Sequence, residues 1–263
     1  MKVAVFFGLF FLSFFSSQEK DAKKILQQEI IKEHLENGAW KHMLFSKDWQ
    51  DNIDIGLKKD STIAYLWQQK AMPLFKLRKY ELGIPFIDKA VYYDSETYQP
   101  YRAFILCIFM KNYTKAIDDF KECVKKYGNR YEMDHTYNFY IALCYLQLNQ
   151  FDKAEKLLSD DIKTIVNKNG ETWINPVTLF YYGIAKYEQQ KWKDAIVEFD
   201  KALQLYPRFS DVKFYKAICL KHLNDNIKAN ILLAEGKKDS KEGNTISESN
   251  AIYEKYPYQV VWQ

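Results

Sequence analysis

Apolar residues recur along most of this chain at three- and four-residue spacing, and short polar turns separate the runs. The clearest stretch is residues 174–207, INPVTLFYYGIAKYEQQKWKDAIVEFDKALQLYP. Asn175 followed by Pro176 predicts a helix start, an N-cap with proline at the first helical position. The pattern then predicts one helix to about Gln190, a polar turn, and a second helix from about Trp192 to Gln204. Small residues mark where two such helices cross closely: Gly183 in the first, Ala195 and Ala202 in the second. Trp192 and Phe199 supply the bulk around them.

The same offsets recur elsewhere. Ala71, Tyr80, Gly83, Ile87 and Ala90 form one set, and Phe104, Tyr113, Ala116, Phe120 and Cys123 the next. Ala142, Phe151, Ala154 and Leu158 follow. Ala217, Ala229, Leu233 and Gly236 form the last, with Asn226 in the place of the aromatic. The small residues of successive second helices, from Gly83 to Ala229, lie 33, 38, 41 and 34 residues apart. Two connections are therefore longer than the others, around residues 128–135 and 167–175.

Gly183, Trp192, Ala195, Phe199, Ala202 and Pro207 together resemble the tetratricopeptide repeat (TPR), a helix–turn–helix unit of about 34 residues. The resemblance extends over roughly residues 61–237. It implies an all-α fold, a TPR-type α-solenoid of five repeats wound as a right-handed superhelix. The helix crossings are then expected at Ala71, Gly83, Ala90, Ala116, Ala142, Ala154, Gly183, Ala195, Ala202, Ala217 and Ala229. Phe104 is bulky where the family prefers a small residue, so a looser contact is expected there. The family binds peptides or helices along its first helices. The residues this implies for the concave face are Tyr65, Met72, Phe75, Tyr101, Ile105, Phe109, Phe139, Leu143, Leu146, Phe180, Ile184, Tyr187, Phe214 and Ile218. The lysines and asparagines of the clamp that holds acidic chaperone C-termini are missing from these places, which excludes that activity.

The flanks read differently. Residues 1–18, MKVAVFFGLFFLSFFSSQ, carry one lysine and an apolar run of 13 residues, short of the roughly 20 that span a bilayer. This is the pattern of a secretory signal peptide. It predicts an exported protein, bacterial and periplasmic or secreted, with no membrane span after cleavage; an uncleaved N-terminal anchor is the alternative. Residues 19–60 predict two helices that match the repeat only faintly and serve as a terminal cap, since an open end would leave apolar surface in water. Residues 238–250 are polar and predict a linker. Residues 251–263 end the chain with Tyr253, Tyr256, Tyr258, Val260, Val261 and Trp262, too apolar for a solvated terminus. Pro257 biases Tyr256 toward extended backbone, so a strand-like tail is expected. Its reach across the linker limits it to the last two or three repeats, over Phe180, Tyr187, Phe214 and Ile218.

Composition narrows the chemistry. Thirty-eight basic residues against 34 acidic ones, net charge +4, make no basic stripe for nucleic acid. The four cysteines and four histidines lack metal-ligand spacing. No nucleophile elbow, phosphate loop or H-E-x-x-H occurs, so no catalytic, cofactor or metal residue is assigned. The cysteines read as buried packing thiols. If any pair bonds, Cys123 with Cys144 is the expected one. Asp134 is expected to cap the helix that begins near His135. These patterns point to a non-enzymatic protein-binding adaptor or scaffold whose partner is a protein or peptide. A self-associating subunit, or an enzyme or inhibitor module acting through the two long connections, remains the alternative.

Overall fold

A computed structural model of the chain describes residues 4–248 and 250–262, with side chains from Gln18 onward. The expected signal peptide therefore lies almost wholly outside the described side chains. The described residues divide into two compact units, 1–98 and 99–263.

In the first unit α1 (Ala4–Ile31) runs into a π turn, Lys32–Glu36, and a 3-10 turn, Ala39–Lys41. Three helices follow: α2 (Lys47–Lys59), α3 (Ala64–Lys76) and α4 (Tyr80–Tyr93). Ser46 caps α2 by accepting from the Trp49 amide. Ile30, Leu35, Trp49, Ile53 and Leu57 bury themselves together with Ile63 and Leu66 of the following segment. The degenerate pair thus covers the apolar end of the first helix pair, α3 and α4.

The second unit begins within α5 (Ser95–Phe104), which continues as a π turn, Ile105–Phe109. Then come α6 (Tyr113–Tyr127), α7 (Tyr137–Gln147), α8 (Phe151–Asn169), α9 (Pro176–Glu188), α10 (Trp192–Leu205), α11 (Ser210–His222) and α12 (Asn226–Lys241). Each helix packs on the next in sequence, the arrangement of a TPR-type α-solenoid. Asn175 caps α9 through the Val177 amide with Pro176 in the first turn, as its sequence predicts. Between α6 and α7 lies a two-residue hairpin, β1 (Tyr131–Glu132) with β2 (His135–Thr136). Thr136, not Asp134, caps α7, accepting from the Phe139 amide. The second strand of the hairpin ends at Thr136, immediately before Tyr137, so its hydroxyl stands at the cap position that reaches the free Phe139 N–H.

One backbone device recurs at the turn inside each helix pair. Arg78, Lys111, Asn149, Gln190 and Asn224 all have positive φ, between 56° and 64°, and each stands two residues before the second helix. The residue after four of them, Lys79, Gln150, Lys191 and Asp225, donates its amide five residues back, to Leu74, Tyr145, Lys186 and Leu220. This is the Schellman closure of a helix end, made here without glycine. The turn after Lys111 differs: Asn112 donates six residues back, to Leu106, because the π turn inserts one residue. Phe104 immediately precedes that turn, is buried, and packs edge-on against Phe109 and Tyr140. The contact there is full, not loose. Widening the helix makes room for the large ring.

Ala71, Ala90, Ala116, Ala142, Ala154, Ala195, Ala202, Ala217 and Ala229 have no exposed surface. Gly83 and Gly183 face Phe75 and Phe199 so closely that a Cβ would lie 2.5 Å and 2.4 Å from the nearest ring atoms. All four cysteines are buried free thiols. The neighbour of Cys144 is Cys107, Sγ to Sγ 3.4 Å, and not Cys123, which corrects the expected pair. That separation is far above a bond length of about 2.05 Å. Burial pushes the Cys123 and Cys219 thiols up to about 12, so neither forms a thiolate nucleophile at neutral pH.

Candidate functional site

The inner side of the second unit is occupied by the chain's own C-terminal segment. Helix α12 continues to Lys241, and Ile246 and Glu248 are buried, so residues 238–250 are no free linker. After Gly243 the Asn244 carbonyl accepts from the Ser210 amide, and Glu248 meets His135, Nε2 to Oε1 2.8 Å. The segment then reaches back to Lys111, whose Nζ donates to the Lys255 carbonyl at 2.8 Å. It returns past Tyr181, whose hydroxyl donates to the Pro257 carbonyl at 2.7 Å, and ends with Trp262 edge-on to Phe214 at 5.6 Å. The path is a looped excursion built of turns, with Tyr258 at φ 60°, rather than the expected strand. It also spans more of the unit than expected, because residues 244–248 are already laid on the surface before the aromatic part begins.

Three tyrosines line this path. Tyr140, Tyr181 and Tyr215 each stand two residues before the small residue of their helix, Ala142, Gly183 and Ala217. Tyr181 bonds the tail backbone, and Tyr215 meets the Tyr258 ring at 6.0 Å. Burial raises the Tyr140 and Tyr181 hydroxyls well above their ordinary range, with the tail's Tyr256 and Glu248 adding to it. Gly236 of α12 gives Trp262 its seat: a Cβ there would lie 2.8 Å from the indole.

Asp211, in the first turn of α11 and with no exposed surface, ties both ends of the excursion together. Its Oδ2 accepts from the Thr245 hydroxyl at 2.6 Å and the Ile246 amide at 3.3 Å, and its Oδ1 from the Val260 amide at 2.7 Å. Burial lifts this carboxyl above 3.8, partly offset by the hydrogen bonds from Thr245, Val260 and Ser210. The native state therefore holds this proton more tightly than the unfolded chain does. The contribution of Asp211 to stability is greatest at low pH and falls as pH rises from 3.8 through the higher folded value. Thermal melts of wild type and Asp211→Asn between about pH 4 and 7 are expected to show the wild type losing ground to the variant as pH rises. A difference that is flat or grows with pH contradicts the assignment.

The residues expected on an open concave face divide into two groups. Phe75, Ile105, Phe109, Phe139, Leu143, Leu146, Phe180 and Ile184 are sealed in helix packing. Phe180, for example, lies against Phe199, Phe209 and Tyr215. Their correction is one of register: the tail-facing positions include the tyrosine one residue further on, as at Tyr140 and Tyr181. Tyr65, Met72, Tyr101, Tyr187, Phe214 and Ile218 are half-buried. Of these, Tyr65 and Met72 pack against the core of the first unit, and Phe214 meets the tail. Asp211, Tyr181, Tyr215, Lys111 and His135 were not expected as contacts. The recurrence of tyrosine at one repeat position was the legible signal.

A second concavity lies where the two long connections meet. Tyr131, Asp134 and His135 of the hairpin, Asn169 at the end of α8, Trp173, and Asn175 and Thr178 at the start of α9 enclose about 280 Å³. Asp161 forms part of its lining, 2% exposed, accepting from the Thr136 hydroxyl and the Asn129 amide at 2.7 Å each. Among the described residues no group of three or more His, Cys, Asp or Glu is placed to hold a metal ion. Among them, too, no helix is long and apolar enough to cross a membrane.

The family model described as tetratricopeptide repeat matches residues 178–208, which take in most of α9 and all of α10. No curated protein matches the chain in sequence. Among solved structures it is similar to YrrB, "a TPR protein with an unusual peptide-binding site", at 16% identity and TM-score 0.52, over 72% of this chain and 93% of that one. It is also similar to PilW, a "widely conserved type IV pilus biogenesis factor", at 16% identity and TM-score 0.58, over 74% and 84%. MamA from Desulfovibrio magneticus RS-1 gives 12% identity and TM-score 0.57, over 68% and 96%. At these identities the likeness is one of fold. The tetratricopeptide repeat thus matches in α9 and α10, and the helices around it, packed in successive pairs with glycine and alanine at their crossings, share the fold of these solved structures.

Proposed function

We propose that the protein is a non-enzymatic protein-binding adaptor whose second unit holds a peptide along its tyrosine-lined inner side, and that its own tail fills this place until a partner segment displaces it. The observation that carries this reading is the docked tail itself. The surface grips a looped segment largely through backbone groups, at Ser210, Asp211, Tyr181 and Lys111, and through seats for aromatic rings at Phe214, Tyr215 and Gly236. Backbone-directed contacts give affinity that is tolerant of sequence, and the aromatic seats add selectivity. The peptide-binding site named for YrrB, a protein of the same fold, supports the reading.

The test uses a labelled peptide with the sequence of residues 251–262, added to the full chain and to its Gly236→Leu variant. The variant unseats Trp262, so less of its groove is blocked in cis. The peptide is expected to bind it at least about tenfold more tightly than wild type, because apparent affinity scales with the open fraction. Failure to bind either protein, with dye binding showing the variant's tail released, removes the groove as a peptide site.

The reading also puts the protein outside the cytoplasm, in the periplasm or at the cell surface, on the pattern of residues 1–18. Mass spectrometry of the native protein is expected to find its N-terminus near Gln18. An intact Met1 contradicts cleavage.

A further inference from the structure

We infer that the cleft between the two long connections of the second unit receives a basic side chain, arginine or lysine, from a partner polypeptide. This site adjoins the docked tail only at His135, which bonds Glu248, and its exposed carboxylate and rings lie away from the seat of Trp262.

Among the described residues the cleft is lined by two carboxylates and by His135, which is already bonded to Glu248, but by no lysine or arginine. Asp161 is buried and bonded only to a neutral hydroxyl and a neutral amide; burial raises its carboxyl above the ordinary range, partly offset by these bonds and by His135. Asp134 is exposed and makes no hydrogen bond or ion pair among the described residues. The basic residue of the same connection, Arg130, is turned away onto the Tyr127 ring at 5.5 Å. The unpaired Asp134 carboxylate beside a low-dielectric wall draws a cation.

Aromatic surface flanks the carboxylates. Trp173 is 69% exposed and Tyr131 56% exposed, large rings held in water on either connection. An exposed indole next to negative charge is the best side-chain platform for a cation. The lining also offers a polar group with no partner. Thr178 is 3% exposed, and its hydroxyl makes no hydrogen bond among the described residues. A guanidinium or ammonium supplies several donors, enough to satisfy both Asp134 and that hydroxyl. A volume of about 280 Å³ falls just below the range of drug-sized pockets and suits a single side chain. A neutral sugar fits the rings but leaves the Asp134 charge unpaired, so the cation is favoured.

The experiment follows the Trp173 indole resonance of the full chain during titration with three probes. These are N-acetyl-arginine amide, its neutral isostere N-acetyl-citrulline amide, and the peptide Gly-Arg-Gly. The arginine probes are expected to shift the resonance, and citrulline to bind at least about tenfold more weakly. Asp134→Asn should weaken arginine binding about five- to tenfold, read on the same resonance. Trp173→Ala, followed through neighbouring resonances, should do the same. Both residues are exposed, so both variants should keep the wild-type melting temperature. Gly236→Leu, which unseats Trp262 and not Glu248, should leave arginine binding unchanged. Tighter binding of the peptide than of the amide supports a polypeptide source, and equal binding overturns it. Citrulline binding as well as arginine, the absence of any shift, or indifference to both cleft variants overturns the site.

Discussion

Ending the chain at Gly243 is expected to lower its melting temperature by roughly 10–20 °C and to raise its binding of a hydrophobic dye. The tail covers Tyr140, Tyr181, Phe214 and Tyr215, and it buries Ile246 and Tyr256 of its own. Each fully buried side chain of this size contributes about 1.5–3 kcal/mol. Ordering the segment offsets much of the sum, which leaves on the order of 5 kcal/mol. For a unit of this size each kcal/mol moves the midpoint by about 2–4 °C. Truncation also strips Asp211 of the Thr245, Ile246 and Val260 donors. The cut belongs at Gly243 because Asn244 already bonds to Ser210. A truncated chain that melts within about 2 °C of the intact one, with unchanged dye binding, would show that the tail adds nothing to the fold.

Gly183→Ala is expected to destabilise by about 1–3 kcal/mol through overpacking. The sign makes the test sharp. Glycine inside an exposed helix normally costs roughly 0.5–1 kcal/mol relative to alanine, so an unconstrained site would gain from the change. Here the new methyl would lie 2.4 Å from Cε1 and 2.6 Å from Cδ1 of Phe199. That ring has no exposed surface and is backed by Phe180, so it cannot swing away without moving the rest of the pair. Because repeat units couple mainly to their neighbours, hydrogen exchange should show the loss centred on α9 and α10. Increased stability would mean that the two helices do not cross at Gly183.

Much of the fold was legible because it is local. The N-cap and proline at Asn175 and Pro176, the polar turn after Gln189, and the small residues facing large ones lie within one helix pair, and their spacing carries the geometry directly. The left-handed residues at the turns were harder to read. Arg78, Lys111 and Gln190 carry no glycine-like signature, and only the closure of the preceding helix forces their conformation. The thiol pair was misread because Cys107 sits in a π turn, whose extra residue shifts the faces of α5 in a way that no 3.6-residue count reproduces.

The candidate site divides along the same line. Apolar excess in residues 251–263 was enough to say that the tail needs cover. Its route was not readable, since contacts such as Lys111 to Lys255 and His135 to Glu248 join positions 144 and 113 residues apart. Nor was the meeting of the two long connections, each unremarkable alone, which together enclose Asp134, Trp173 and Thr178. The sequence by itself determined the helix–turn–helix unit and its close crossings, because those depend on residue size and capping within about 34 positions. Only the tertiary structure decided that Tyr181 meets the tail while Phe180 enters the core, and that Phe214 and Tyr215 both meet it, because a helix stripe of buried residues about 100° wide admits both neighbours until a partner surface chooses between them.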